Sequence, residues 1–114
     1  MTEQQIKRAK RLAEILFSKG NYEVQERGSA VWVRHNWSIE WRPFNPEQDE
    51  VLLCDLKIAY QIDVSNNGNH QWDIEGWTQG MNHVYRSTEL TKDQLPAALI
   101  DCVIEINGGY DEQS

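Results

Sequence analysis

Three histidines are the first residues to test for chemistry, because an imidazole can bind a metal ion or move a proton near neutral pH. They are His35, His70 and His83. None of them stands at the H-x-x-x-H or H-E-x-x-H spacing of a zinc site, and no cysteine and histidine together have zinc-ligand spacing. We interpret all three as ordinary surface side chains, and we expect neither a bound metal nor another cofactor.

A pair of carboxylates is the second candidate. Asp73 and Glu75 lie two residues apart in a segment that alternates like a strand, so both side chains should point to the same side. Such a pair can hold a divalent cation or act as acid and base, although a solvated strand face is the commoner use of this pattern. The chain has neither a G-x-S-x-G nucleophile motif nor a glycine-rich phosphate loop. The sequence therefore favours a protein without catalysis and leaves an enzyme as the alternative.

The two cysteines, Cys54 and Cys102, have no C-x-x-C spacing and fall on apolar faces of the predicted elements. We expect both to be free, buried thiols, as is usual in a reducing compartment. The first seventeen residues lack the apolar core and the cleavage site of a secretion signal, and no apolar run could span a bilayer. These features predict a cytoplasmic protein without a membrane partner.

Charge is divided unevenly along the chain, whose net charge is −7. Residues 1–20 have five basic and two acidic side chains, which gives +3, whereas residues 21–114 have six basic and sixteen acidic ones, which gives −10. This balance disfavours nucleic acid as a partner, because phosphate binding needs clustered Lys and Arg. The early basic side chains form either a solvated helix face or a site for an anionic partner: Lys7, Arg8, Lys10 and Arg11.

Helical patterns are found near both ends of the chain, where apolar residues recur at intervals of three and four. The first helix has Thr2 as its N-cap and Gln5 as its capping-box partner, and Gly20 can end it. The second covers residues 94–106, with Asp93 as its N-cap.

Residues 22–42 alternate between apolar and polar side chains, which indicates a meander of three antiparallel strands. A two-residue turn at Arg27–Gly28 would place Val24 opposite Val31, and a loop at 34–36 would lead into the third strand. The alternation divides the tryptophans of this stretch between two sides. It assigns Trp37, Ile39 and Trp41 to the core face and Trp32 to the other face, beside Arg34.

The alternation continues beyond this stretch. Every second residue in 51–64 is apolar, which favours one long strand, although a helix also fits. The asparagines and glycine of 65–70 predict a turn, residues 70–77 a further strand, and residues 82–87 a weaker one.

These elements predict an α+β fold with a single antiparallel meander of five to six strands and an N-terminal and a C-terminal helix packed on one face. We expect residues 1–110 to form one domain and residues 111–114 a short polar tail. The sheet face without helices would then be open to a partner.

That open face leads to the functional hypothesis of a small acidic protein-interaction module, comparable in make-up to inhibitors, adaptors or chaperones. Its partner would be another protein or a second copy of this chain. Exposed tryptophan and arginine are the side chains most enriched at interface hot spots. The alternative hypothesis is a small-ligand or carbohydrate binder, or a minor enzyme, that uses tryptophan and carboxylate groups of the same face. The predicted interface residues are Trp32, Arg34, Arg42, Leu53, Asp73, Glu75 and Trp77.

Overall fold

The computed structural model describes residues 1–17, 20–78 and 80–110, so the polar tail expected at 111–114 lies outside the described residues. The fold is α+β, with three α-helices and two three-stranded antiparallel sheets. The chain divides into two compact units, Met1–Pro46 and Glu47–Ser114. Each unit has its own sheet, and each is described separately.

The first unit begins with helix α1 (Glu3–Leu16), whose start confirms the predicted capping box. The backbone N–H of Gln5 donates to Thr2 Oγ1 at 3.2 Å, and the backbone N–H of Thr2 donates to Gln5 Oε1 at 2.8 Å. The helix ends at Leu16, with an extended Phe17 as its C-cap, which is earlier than the Gly20 stop we predicted. Its buried apolar side chains are Ala9, Leu12 and Ala13.

Helix α1 packs against a hairpin of strands β1 (Tyr22–Arg27) and β2 (Ala30–His35). Arg27 pairs with Ala30, so the two turn residues are Gly28 and Ser29, and Val24 lies opposite Val33 instead of Val31. The turn therefore lies one residue later than predicted, where Gly28 supplies the positive φ of +59°. Because the pairing moves by two residues, each side chain keeps its predicted face.

The third strand, β3 (Arg42–Pro43), is much shorter than predicted, and it pairs Arg42 with Val33. Trp37 and Ile39 precede it in a loop and are 82% and 94% exposed, so their assignment to the core was wrong. Local hydrogen bonds explain the loop: the Ser38 N–H donates to the His35 carbonyl at 3.0 Å, and Ser38 Oγ accepts from the Glu40 N–H at 3.0 Å. These bonds take backbone groups that a strand ladder would have used.

A short 3₁₀ helix at Pro46–Gln48 precedes helix α2 (Glu50–Ala59) of the second unit. The long strand predicted for 51–64 is therefore wrong over most of its length. Asp49 caps the helix by accepting a hydrogen bond from the Leu52 N–H at 3.1 Å. Only Asp63 and Val64 of the predicted segment form a strand, as the first half of β4 (Asp63–Asn66).

The second sheet has the order β4, β5 (Trp72–Trp77), β6 (His83–Leu90). A turn joins the first two strands as predicted, but it covers residues 67–71 instead of 65–70, because Ser65 and Asn66 pair within β4. The weaker strand predicted at 82–87 is present, begins at His83 and continues to Leu90. The central strand β5 carries Ile74, which is fully buried.

Helix α3 (Leu95–Ile106) follows a 3₁₀ helix at Lys92–Gln94 and packs against β5 and β6. Thr91 and Gln94 form the capping box of this 3₁₀ helix, so Asp93 is not the N-cap we predicted. The helix is buried on most of its circumference and forms much of the core of the second unit, through Ala98, Leu99, Ile100, Cys102, Val103 and Ile104.

The α+β class and the helices at both ends of the chain are thus confirmed, whereas the single meander of five to six strands was wrong. Helix α2 separates the strands into two groups of three in the sequence. Among the described residues, no helix is both long and apolar enough to cross a lipid bilayer.

Candidate functional site

The predicted interface residues belong to both units. Trp32, Arg34 and Arg42 lie in the first unit. In the second unit, Leu53 lies on α2, and strand β5 carries the other three residues of the prediction, Asp73, Glu75 and Trp77.

Trp32 and Arg34 form part of an arginine–tryptophan cluster with Arg27 and Trp41. The guanidinium carbon of Arg27 lies 4.6 Å from the ring centroid of Trp41 and 6.0 Å from that of Trp32. Arg34 approaches Trp41 from 4.9 Å. A cation over an indole face is attracted by the ring quadrupole, so these contacts hold the cluster together within the first unit.

Arg34 is further engaged by Glu23, whose Oε2 lies 2.8 Å from Arg34 Nη2. These two residues are directly paired across β1 and β2, so they share one face of the sheet. Trp32 and Trp41 are both only half-exposed. The cluster therefore accounts for Trp32 and Arg34 by contacts inside the unit.

Arg42 is placed differently. It pairs with Val33 across β2 and β3, which puts it on the opposite face from Arg34. Arg42 is exposed and forms no ion pair with any residue in the described part of the chain. Of the two arginines predicted at the interface, Arg34 is paired with Glu23, whereas the guanidinium of Arg42 is exposed to solvent.

The face that carries Arg42 also carries a row of rings in contact, which we call the aromatic row; two of its four contacts are stacked, one is tilted and one is edge-on. Successive ring centroids are 5.4, 4.6, 4.0 and 4.6 Å apart. Tyr22 Oη and His35 Nε2 are hydrogen-bonded at 2.8 Å in the middle of the row. The order of the rings is Phe44, Phe17, Tyr22, His35 and Trp37.

The exposed end of the aromatic row borders a groove of about 360 Å³. Its side chains include both apolar rings and charged groups, and Glu40 is the single acidic residue among the described residues that line it. Arg34 of the arginine–tryptophan cluster also lines the groove, together with Phe17, Tyr22, His35, Trp37, Glu40 and Arg42. Sequence alternation missed this site, because it placed Trp37 inside the protein.

In the second unit, the carboxylates Asp73 and Glu75 have partners. Asp73 Oδ1 accepts a hydrogen bond from the Glu89 N–H at 3.2 Å. Glu75 Oε2 lies 3.1 Å from His83 Nε2, and this contact is an ion pair when His83 is protonated. The ring of Trp77 contacts that of His83 edge-on, with centroids 5.6 Å apart. These groups form hydrogen-bonded pairs on neighbouring strands.

The basic side chains of α1 do not form one uniform solvated stripe. Arg8 is buried, at 9% exposure. Lys10 lies 3.4 Å from Glu26, and Arg11 lies 3.3 Å from Glu14. Lys7 is exposed. These four charges therefore differ in burial and pairing along the helix.

The histidines and cysteines lie in separate environments. Within residues 1–17, 20–78 and 80–110, no three His, Cys, Asp or Glu side chains are grouped as metal ligands. Cys102 is buried as predicted, and burial raises the pKa of its thiol to about 12, which keeps it protonated at neutral pH. Cys54 is exposed, contrary to the prediction, because it lies on a solvent-facing side of α2.

The chain matches no protein-family model, no curated protein and no solved structure.

Proposed function

We propose that the protein is a non-catalytic cytoplasmic interaction module whose first unit binds an acidic segment of another protein. The docking surface consists of Trp37, Ile39, Arg42 and the groove beside them. The proposal rests on one observation: Trp37 and Ile39 are 82% and 94% exposed although both are large and apolar. Covering such side chains with a partner removes apolar surface from water, which is the main favourable term in association.

The position of Trp37 favours binding. Its ring stacks on His35 with centroids 4.6 Å apart and an interplanar angle of 25°, and His35 is in turn hydrogen-bonded to Tyr22. A side chain that is held before the partner arrives loses less rotamer entropy on binding. Exposed and pre-positioned tryptophans are typical of interface hot spots.

Charge favours an acidic partner. The unit Met1–Pro46 has eight basic and five acidic side chains, a net charge of +3, within a chain whose net charge is −7. Arg42 lines the groove without an ion-pair partner among the described residues. A carboxylate of the partner that reached Arg42 would form a charge-assisted hydrogen bond.

We expect Trp37→Ala to weaken binding of the partner by ~2 kcal/mol or more, which is roughly a thirtyfold rise in Kd. The partner would be captured from a cell lysate on the immobilised full chain, identified, purified and titrated by calorimetry. Ile58→Ala is the matched control, since Ile58 is a 70% exposed apolar residue of the second unit. This control should leave Kd unchanged.

Two further readouts separate the alternatives. Affinity should fall as salt is added, because salt screens the attraction between Arg42 and the acidic segment. A captured protein that binds Trp37→Ala as tightly as the wild type would contradict the proposal. A homodimer in light scattering that dissociates on Trp37→Ala would assign the docking surface to self-association instead.

A further inference from the structure

The second unit contains a cavity that the proposed function does not use. It has a volume of about 590 Å³ and lies where the end of α2, the turn between β5 and β6, and the end of α3 meet. Pockets for small molecules usually measure about 300–1,000 Å³. Six of its lining residues are Tyr60, Gln61, Trp77, Thr78, Met81 and Asn107.

The lining mixes polar and apolar side chains, since Ala59 and Ile106 also line the cavity, and it is uncharged. No described side chain that lines the cavity carries a formal charge at neutral pH. Tyr60 and Thr78 supply hydroxyl groups, and Gln61 and Asn107 supply amides, each of which can both donate and accept hydrogen bonds. Trp77 adds an aromatic wall. The hydroxyl and amide groups suit a ligand with many hydroxyl groups, and the indole suits a flat C–H face on the same ligand.

Several of these polar groups are held in place by the protein. Asn107 Nδ2 donates to the Val103 carbonyl at 2.8 Å and lies 3.3 Å from Tyr60 Oη, which fixes the amide beside the phenol. Thr78 Oγ1 accepts from the Asn82 N–H at 3.2 Å. Pre-positioned hydrogen-bonding groups reduce the entropy lost when a ligand binds.

The backbone is unusual at two of the lining residues. Gln61 and Met81 have φ angles of +52° and +63°, in the left-handed region that favours glycine. A non-glycine residue with a positive φ has a strained backbone that lowers the stability of the protein, and glycine would avoid this strain. Residues with strained backbones are found preferentially at ligand sites. Met81 is 76% exposed, so packing in the core does not explain why this position has a methionine instead of a glycine.

From these observations we infer that the cavity is a binding site for a neutral saccharide, with a pyranose ring against Trp77 and its hydroxyl groups on the amides of Gln61 and Asn107. The charge of the unit selects against anions: Glu47–Ser114 has three basic and thirteen acidic side chains, a net charge of −10. None of the described residues that line the cavity is a carboxylate that could pair with a cationic ligand. This site is independent of the docking surface of the first unit.

The test is a titration of the full chain, followed by ¹H–¹⁵N NMR, with methyl β-glucoside, methyl β-galactoside and cellobiose as neutral probes. Glucose 6-phosphate is the anionic probe. We expect at least one neutral probe to shift the indole N–H signal of Trp77, which Trp77→Phe would identify. Glucose 6-phosphate should bind about tenfold more weakly than that probe, because the acidic unit repels its phosphate.

Gln61→Gly separates binding from folding. Glycine accepts the positive φ at no steric cost, so the variant should melt at a higher temperature, while the loss of the amide weakens saccharide binding by about fivefold or more. His70→Gly is the matched control, because His70 has a φ of +59° in the same unit but does not line the cavity. It should raise Tm and leave saccharide binding unchanged.

Three results would overturn the inference. The first is the absence of any indole shift with all three neutral probes at millimolar concentration. The second is glucose 6-phosphate binding as tightly as the neutral sugars. The third is a Gln61→Gly variant that binds the best neutral probe with wild-type affinity.

Discussion

Leu56→Ala is expected to lower the free energy of unfolding by about 3 kcal/mol, whereas Ile58→Ala should change it by less than ~0.5 kcal/mol. Both residues lie on α2, where Leu56 is 3% exposed and Ile58 is 70% exposed. Truncating the buried side chain leaves a cavity and loses its transfer free energy, while truncating the exposed one does neither.

This pair distinguishes a helix from a strand. Residues two apart point to opposite sides of a helix but to the same side of a strand. If 51–64 were the long strand that its alternation suggests, Leu56 and Ile58 would be buried together, and their alanine variants would cost similar amounts. Equilibrium urea unfolding gives both values, and equal losses would contradict the helix.

Gly76→Ala is expected to destabilise the protein by about 2–3 kcal/mol through overpacking. A Cβ atom at Gly76 would overlap Cys102 Sγ and would lie 3.2 Å from Ile106 Cδ1. Both of those side chains belong to α3, so β5 and α3 could no longer approach as closely. Glycine at this position in β5 is therefore a requirement of helix–sheet packing.

The double variant Gly76→Ala/Cys102→Ala tests whether overlap with Cys102 Sγ causes the loss of stability. Removing the sulfur creates room for the new methyl group, so we expect the double variant to be more stable than the sum of the single effects by about 1 kcal/mol or more. Gly80→Ala is the control, because the nearest atom that a Cβ there would meet among the described residues beyond its chain neighbours is Asn82 Nδ2, at 3.7 Å. Additive effects of the two substitutions in urea unfolding would show that the two atoms do not compete for the same space.

The helices at both ends of the chain were predictable because their signals are local. The capping box of Thr2 and Gln5 can be recognised from residue types alone. A helix accepts proline only in its first turn, so Pro96 marks where the last helix begins. The first hairpin was predictable, but its register was not. Alternation determines which face each side chain lies on, and Gly28 indicates where the turn is to within one residue.

Helix α2 was missed because its apolar residues satisfy both periods. Leu52 and Leu56 are four residues apart as well as members of an alternating set, so the pattern alone could not decide. Asp49, directly before this segment, was a helix-start signal that could have been used, since its carboxylate caps the Leu52 N–H.

The docking surface was missed for a different reason. The alternation of Trp37, Ile39 and Trp41 is that of a half-buried strand, but alternation does not reveal whether the strand has a partner. Among the described residues of the first unit that follow β2, Arg42 and Pro43 alone form a strand, paired with Val33 and Trp32. Trp41 contacts Arg27 and Arg34, which lie fourteen and seven residues earlier on the two strands of the hairpin, and apolar alternation does not predict these contacts.

The most direct test of the account is the free energy of unfolding of Trp37→Ala. An 82% exposed side chain contributes little to folding, so we predict a change of less than ~0.5 kcal/mol. Val31→Ala, at a fully buried position of the same unit, should cost more than ~1 kcal/mol and shows that the measurement detects core losses. A loss of ~3–5 kcal/mol on Trp37→Ala would place this tryptophan in the core and remove the docking surface.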